Sequence, residues 1–358
     1  MTLLPLLLTL LQQPVAPAPP LQPYAMRDVH VVQAESDQLL YHQTLLLEGG
    51  RIVAMGSSER MVIPEGMEEW ARRIDRGEVI GPHLELPIGL LWSEGELLGD
   101  ALEDRLKEYV GSRGGFFKML GGFDEESYRE VVRAVVNAGF SVVGHLPRGI
   151  SMEVAAEAGQ MGIEHFQGFD LSKDYRRGEL RDLVKREKEV GRFHCPTIHW
   201  VSVQGGNVPF EALEKLPGIE GVAPAQREAW RRWWFDAEER PRRERIQPYR
   251  ARMLAILSEM GYQELPLLLS ASDGDYVVPG YSLHEEIALY TEAGITPTAI
   301  LKALTTHPAA SLHATGDWGQ VAVGQVADLV VLDANPLRNA EALKAVHGTM
   351  VGGRWVQD

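Results

Sequence analysis

Cysteine is the scarcest residue type of this chain. Cys195 is the only one among 358 residues, which excludes an intrachain disulfide and any cysteine-rich zinc site. It stands beside Pro196 in an apolar run, a setting typical of a thiol that packs in a protein interior. We therefore interpret Cys195 as a packing residue rather than as a catalytic thiol.

Positive charge is also in short supply. Lys and Arg number 35 against 50 Asp and Glu, which gives a formal net charge of −15 at pH 7. Such a surface repels the phosphates of nucleic acids and of anionic membranes, so neither is an expected partner. The expected partner is a small-molecule substrate, and a homo-oligomer is compatible with the composition.

Long hydrophobic runs are missing as well, since none reaches the roughly 20 residues of a transmembrane helix. The first apolar run, LLPLLLTLL at residues 3–11, is followed by a stretch of Pro, Ala and Gln through Pro20. This pattern is typical of a signal-peptide core. It predicts that residues 1–20 are a signal peptide and that the protein is periplasmic or secreted.

Both ends of the remaining chain have the pattern of short antiparallel strands. Residues 24–63 contain alternating segments with an EGGRI turn, and residues 318–358 repeat this character. Turn residues between alternating segments predict hairpins. We expect one small β-sandwich domain built from residues 21–67 and 316–358.

The middle of the chain alternates strand-like runs with amphipathic helices. Asp124 is a predicted cap for a helix that begins at Glu125 and ends before Gly139. The expected buried face of that helix consists of Tyr128, Val131, Val132, Val135 and Val136. The Trp- and Arg-rich residues 206–262 are also predicted to be helical.

Alternation of this kind predicts an α/β fold with a parallel sheet, here a TIM-type β/α barrel over residues 68–315. A closed barrel of this type has eight strands. The candidate strands are 84–88, 116–120, 140–145, 162–166, 193–198 and 266–272. The barrel is therefore predicted to be incomplete.

Four potential metal ligands lie at the ends of separate apolar runs. They are Lys118 in GGFFKML, His145 in SVVGHLP, His165 in MGIEHFQG and Asp273 in LLLSASDGD. Residues at the carboxyl ends of barrel strands face one shared site. Imidazoles suit zinc, and a carboxylate near a metal-bound water is a competent base. We therefore expect these residues to converge on at least one divalent ion, Zn²⁺ by preference.

The eleven histidines include no His-x-His pair. Replacement ligands are not indicated by spacing, although His194 and His199 lie close to the fifth candidate strand. His307, in TTHPA, is interpreted as a packing or capping residue. A lysine at a strand end is also often one that extends to water, so the ligand role of Lys118 depends on its companions.

The C-terminal third reveals a family resemblance. The segment SLHEEIALYTEAGITPTAILKALTTHPAASLHATGDWGQVAVGQVADLVVLDANPL closely resembles the end of the amidohydrolase superfamily, in its imidazolonepropionase-like and prolidase-like branch. Upstream, the runs with Lys118, His145 and His165 resemble that branch's fourth, fifth and sixth strands. CPT resembles the seventh, and SASDGD, with Asp273, the eighth.

The resemblance implies roles for these residues. Lys118 would be carboxylated and would join His145 and His165 in binding the second metal. Asp273 would bind the first metal and take the proton from the attacking water. In the N-terminal part, YAMRDVHVV and TLLLEGGRIVAMG resemble the family's opening β-segment.

The chain departs from the family pattern near residue 67. There the family continues into a strand that ends in PGL-x-D-x-His-x-His, whereas IPEGMEEWARRIDRGEVIGP passes directly to the helix before the third strand. The first two strands are therefore predicted to be deleted, with Trp70 and a helix at 68–76 covering part of the gap.

The sequence thus predicts a metal-dependent amidohydrolase that cleaves C–N bonds through metal-activated water, with an impaired metal site. An amide, a cyclic amide or an Xaa-Pro dipeptide is the expected substrate. Two alternatives stay open: a catalytically silent relative used as a scaffold or binding protein, and an incomplete sequence of an active enzyme.

Overall fold

A computed structural model describes residues 24–36, 38–48, 51–52, 87–92, 99–109, 115–237, 239–271 and 274–356. The predicted signal peptide, the departure near residue 67 and the 68–76 helix with Trp70 lie outside these ranges. Within them, every helix is too short or too polar to traverse a bilayer.

An antiparallel sheet opens the described chain. Its strands are β1 (Tyr24–Gln33), β2 (Gln38–Glu48) and β3 (Arg51–Ile52). Glu48 pairs with Arg51, so the hairpin predicted from EGGRI is confirmed.

The central strands are parallel and follow one another in chain order. They are β4 (Gly89–Trp92), β5 (Phe116–Gly121), β6 (Ser141–Gly144), β7 (Gly162–Glu164) and β8 (Phe193–Cys195). β5 lies between β4 and β6, and β7 pairs with β8. The Met161 amide donates to the Val142 carbonyl at 2.9 Å and joins the two groups. The α/β class is therefore confirmed.

Two predicted strands differ from those observed. The 84–88 strand is wrong where it can be checked, because the strand is Gly89–Trp92. Pro87 has no amide hydrogen for a sheet, and hydrogen bonding starts when the Ile88 amide donates to Phe116 at 2.8 Å. The 266–272 strand is reduced to one parallel bridge between His194 and Leu267.

Two other predicted strands are too long, for one physical reason. The 162–166 strand ends at Glu164, because His165 and Phe166 have φ values of 56° and 58°. The 193–198 strand ends at Cys195, and Thr197 has φ 56° before a helix begins. Positive φ lies outside the extended region and terminates a strand.

Helices connect these strands. The helices are α1 (Asp100–Tyr109), α2 (Glu125–Asn137), α3 (Met152–Ala158), α4 (Arg177–Val190), α5 (Ile198–Gln204), α6 (Phe210–Leu213), α7 (Pro224–Phe235), α8 (Glu239–Ile246), α9 (Tyr249–Tyr262), α10 (Ser282–Glu292), α11 (Pro297–Leu304) and α12 (Thr306–Ser311). Short 3-10 helices lie at Ala34–Ser36, Ile219–Gly221 and Ala340–Lys344. The predicted helical character of 206–262 is confirmed by α6 to α9.

Helix α2 follows its predicted pattern closely. The Asp124 carboxylate accepts a hydrogen bond from the Ser127 amide at 2.9 Å, as an N-cap residue does. The buried residues of α2 are Tyr128, Val131, Val132 and Val135. Val136 is 36% exposed, so its predicted burial is wrong; it lies at the margin of the apolar stripe.

A second antiparallel sheet closes the chain. Its strands are β9 (Leu329–Leu332), β10 (Val346–Val351) and β11 (Arg354–Val356), with β10 in the middle. Both predicted β-rich ends are therefore observed. That 21–67 and 316–358 form one composite domain stays a prediction.

A buried ionic cluster lies at β8 and links it to helix α4. Arg192 is fully buried and donates to Glu187 at 2.7 Å, and His194 lies 3.0 Å from the same carboxylate oxygen. Arg192 also donates to the carbonyls of Gln160 and Met152. His194 is thus a structural residue of the interior.

Candidate metal centre

Three potential ligand side chains converge at the carboxyl ends of β6 and β7. The ligand atoms of His145, Glu164 and His165 all lie within 4.8 Å of one another. Glu164 Oε2 is 3.5 Å from His165 Nε2 and 3.9 Å from His145 Nε2. The convergence predicted for His145 and His165 is therefore observed, and Glu164 lies between them.

The backbone at the end of β7 brings two neighbouring residues to one side. Successive side chains of a strand point to opposite faces, and Ile163 is buried. The φ value of 56° at His165 breaks this alternation directly after Glu164. Both the carboxylate and the imidazole consequently face the same site.

Each of the two imidazoles is hydrogen-bonded through Nδ1, and its Nε2 atom lies near Glu164. His145 Nδ1 is 3.0 Å from the Leu120 carbonyl oxygen, which only accepts, so Nδ1 carries a proton. His165 Nδ1 is 2.7 Å from Thr197 Oγ1. Metal-binding histidines characteristically engage the second ring nitrogen in this way.

Lys118 reaches the same carboxylate from β5. Its Nζ donates to Glu164 Oε2 at 2.6 Å, and both side chains are partly buried. A protonated amine has no lone pair for a metal. In this structure Lys118 is therefore the ion-pair partner of Glu164, and its carboxylation and its ligand role stay predictions.

Asp273 lies outside the described residues, so its predicted roles as metal ligand and base stay predictions. The next residue, Gly274, lies against Trp200: a Cβ added there would approach the indole nitrogen to 2.8 Å. The Trp200 ring packs on His165 with centroids 5.1 Å apart. The described end of that loop thus borders the wall of the cluster.

The donor set fits a zinc ion. Zinc bonds of about 2.0–2.1 Å in a tetrahedron place ligand atoms about 3.3 Å apart. The two Nε2 atoms lie 3.5 and 3.9 Å from Glu164 Oε2, so each of these separations would shorten by less than about 0.6 Å. All the ligand atoms lie within 4.8 Å of one another, so the two imidazoles would also move toward each other on binding. Two imidazoles and one carboxylate also match a known composition of catalytic zinc sites.

Glu164 is the residue that sequence reasoning missed. It is the only Asp, Glu, Lys or Arg in MGIEHFQG. A carboxylate in an apolar strand is costly to bury without a partner, which is the signal that marks it. The partner, Lys118, is 46 residues away.

His307, His199 and Cys195 lie in structural settings. His307 Nδ1 bonds to the Leu267 carbonyl at 2.8 Å, so its interpretation as a packing residue is confirmed. His199 is buried, and burial lowers the pKa of its ring. Enclosure also raises the pKa of the Cys195 thiol, although the residue as a whole is only partly buried; the protonated thiol is a poor nucleophile.

A cavity of about 490 Å³ opens beside His145 at the carboxyl ends of β5, β6 and β7. Its lining residues are Leu120, Gly121, Gly122, His145, Leu146, Pro147, Arg148, Gly149, Ile150, Gln167, Gly168 and Phe169. Arg148 is exposed and is the only Lys, Arg, Asp or Glu among these residues. Arg148 is therefore the lining residue that could pair with an anionic group.

Residues 268–356 match the Amidohydrolase family. The comparison with curated proteins gave no match. Among solved structures, the chain is similar to bottromycin amidohydrolase, with 19% identity and a TM-score of 0.70, covering 98% of this chain and 88% of that one.

Two further solved structures show the same likeness. A Xaa-Pro dipeptidase with bound methionine in its active site has 14% identity and a TM-score of 0.65, over 94% of this chain and 100% of that one. Ochratoxinase from A. niger has 14% identity and a TM-score of 0.62, over 94% and 96%. The chain therefore shares the TIM-barrel-like α/β fold of these prolidase-like and amidohydrolase proteins, and its residues 268–356 match the Amidohydrolase family.

Proposed function

We propose that this protein is a metal-dependent hydrolase of amide-type C–N bonds with a metal ion held by His145, Glu164 and His165. We call it the first ion, although the sequence resemblance places His145 and His165 at the family's second metal. The observation that carries the proposal is the convergence of two Nε2 atoms on one carboxylate, with both Nδ1 atoms already hydrogen-bonded. The family match at residues 268–356 supports the same reaction class.

The proposed ion is zinc, which when bound activates a water molecule and polarises a carbonyl group. Residues of the chain orient the ligands of this ion and balance its charge. Leu120 and Thr197 orient the two imidazoles, and Glu164 supplies the negative charge. A divalent ion and the Lys118 ammonium repel each other at this short range, so we expect metal binding to displace Lys118 from Glu164.

Asp273 is proposed as a ligand of the other ion and as the base, and the carboxylated Lys118 amine is proposed to bridge this second ion and the ion at His145 and His165. This part of the proposal rests on the resemblance of their sequence motifs. The predicted loss of the His-x-His strand would leave this second site incomplete, so the first ion carries the activity that we propose.

The proposed substrate carries a carboxylate near its scissile amide. Arg148 lines the cavity beside His145, and a guanidinium pairs with a carboxylate in a bidentate manner. The similar Xaa-Pro dipeptidase was solved with methionine, an amino acid, in its active site. Dipeptides and N-acyl amino acids are therefore the first compounds to screen.

Export to the periplasm or the medium is part of the proposal, because residues 1–20 have a signal-peptide pattern. Fusion of these residues to a reporter enzyme that is active only after export tests it. A reporter that stays in the cytoplasm would contradict export and leave the catalytic proposal unaffected.

The central experiment measures zinc in the purified full chain by elemental analysis, after chelation and reloading in the presence of bicarbonate. We expect about one tightly held zinc or more per chain, and an affinity at least roughly tenfold weaker in Glu164→Gln. Glu179→Gln is the matched control, since Glu179 is a surface carboxylate that also pairs with a lysine. A folded, monodisperse wild type that retains no zinc would support the silent-scaffold alternative.

A further inference from the structure

Helix α5 begins after a threonine whose side chain does not cap it. Thr197 occupies the N-cap position, yet its side chain makes no hydrogen bond to the first turn of α5, all of which the structure describes. A threonine there ordinarily accepts from an amide of that turn. The Thr197 hydroxyl instead lies 2.7 Å from His165 Nδ1.

A carboxylate from a distant helix does the capping. Glu286, on α10, is completely buried. Its Oε1 accepts from the Ile198 amide at 2.9 Å and its Oε2 from the His199 amide at 2.7 Å. These are the first two amides of α5, which would otherwise lack intrahelical partners.

The backbone of Thr197 explains why this support is needed. Thr197 has φ 56° and ψ 48°, a left-handed conformation that a β-branched residue rarely adopts. Such a conformation persists where the surroundings impose it. Glu286 holds the two amides that directly follow, so it constrains the turn that aims the Thr197 hydroxyl.

We infer that Glu286 is a positioning residue for the metal centre: it caps α5 in place of Thr197 and so releases the Thr197 hydroxyl to orient His165. The inference rests on the proposed function, because it assigns Glu286 a role in presenting a metal ligand. For metal binding by His165 Nε2, the ring proton belongs on Nδ1, where Thr197 Oγ1 accepts it.

The first readout is the His165 tautomer in the metal-free chain, measured by ¹⁵N NMR of histidine-labelled protein. In the wild type we expect the Nδ1–H form. Glu286→Ala and Thr197→Val should both shift His165 toward the Nε2–H form, while Thr197→Ser, which keeps the hydroxyl, should restore the wild-type signal. Glu285→Gln, on the adjacent residue, is the control.

The second readout is zinc affinity, measured by competition with a chromophoric chelator. Glu286→Ala and Thr197→Val should each weaken binding roughly 10- to 100-fold. Both substitutions act through the same hydrogen bond. The double variant should therefore bind zinc with about the same affinity as the single variant that binds it less tightly. If Glu286→Ala fails to fold, Glu286→Gln, which keeps one acceptor oxygen, replaces it.

The two readouts separate failure of this inference from failure of the proposed function. Wild-type protein that binds no zinc would overturn the proposed function, and the tautomer measurement would still test the role of Glu286. Folded Glu286 variants with an unchanged His165 tautomer, or zinc losses that add in the double variant, would overturn the inference.

Discussion

The titration of Glu286 should make the stability of this protein depend on pH. The pKa of its carboxyl is raised from 4.5 to about 7, chiefly because burial disfavours the charged form, while the amides of His199, Ile198 and Thr197 partly oppose the shift. The neighbouring Cys195 and Tyr290 also have raised pKa values. They stay protonated over this range, so Glu286 is the group that changes charge.

The sign follows from proton uptake. Between about pH 4.5 and 7 the folded chain holds a proton on Glu286 that the unfolded chain has released, so the free energy of unfolding falls as pH rises. The pKa difference corresponds to roughly 3 kcal/mol, at about 1.4 kcal/mol per unit. Below the unfolded value the full contribution is present, and above about 7 it is lost.

Urea unfolding of the full chain at about pH 5 and about pH 8 measures this change. Buried His194 and His199 act in the opposite sense, because burial lowers their pKa and charging them opposes folding at acid pH. The informative quantity is therefore the difference between wild type and Glu286→Gln, which does not titrate. From about pH 5 to about pH 8 the wild type should lose roughly 3 kcal/mol relative to that variant.

Glu285→Gln is the control for this experiment and should follow the wild type. Parallel pH profiles of wild type and Glu286→Gln would refute the reasoning. They would mean that the amides at the start of α5 keep Glu286 ionised throughout, since hydrogen bonds to the charged form favour it.

Three further predictions concern the ionic groups. Arg192→Met removes the guanidinium from the buried Glu187 carboxylate and leaves His194 as its described partner. It should lower the free energy of unfolding in urea by roughly 3–5 kcal/mol, whereas Arg186→Ala, at an exposed ion pair, should cost less than about 1 kcal/mol; equal costs would contradict the buried cluster. Lys118→Ala should retain the first zinc by elemental analysis and lose any second, bicarbonate-dependent ion; loss of all zinc would show that the first ion is not held without Lys118. Arg148→Ala should raise KM at least roughly tenfold for carboxylate-bearing amides and leave KM for their neutral analogues unchanged; equal effects on both substrate sets would refute the anionic subsite.

Local features of this protein were readable from the sequence. The cap and most of the buried face of α2 depend on residues within a few positions of one another, and both predictions are confirmed. The strand-end position of His145, directly after β6, follows from an apolar run with a polar terminus. The same prediction is wrong for Lys118, which lies inside β5, three residues before its end. Their strands, β5 and β6, have nearly the predicted bounds. Such patterns can be read from the sequence because capping and alternate burial depend on residues within a single turn or a single strand.

Contacts between distant residues were decided by the tertiary structure. Glu164 meets Lys118 across 46 residues, and Glu286 meets α5 across 87 and 88. The positive φ values of His165 and Thr197 shorten two strands and aim two side chains. The value at Thr197 could not be expected from its sequence, because a β-branched residue rarely adopts it. The sequence by itself predicted the α/β pattern, a hydrolase of C–N bonds, and two of the three side chains that converge at the proposed first site. Only the folded chain revealed the third side chain, Glu164, and its contact with Lys118. A buried carboxylate is stabilised by whichever donors the packing brings to it, and sequence spacing does not encode that partner.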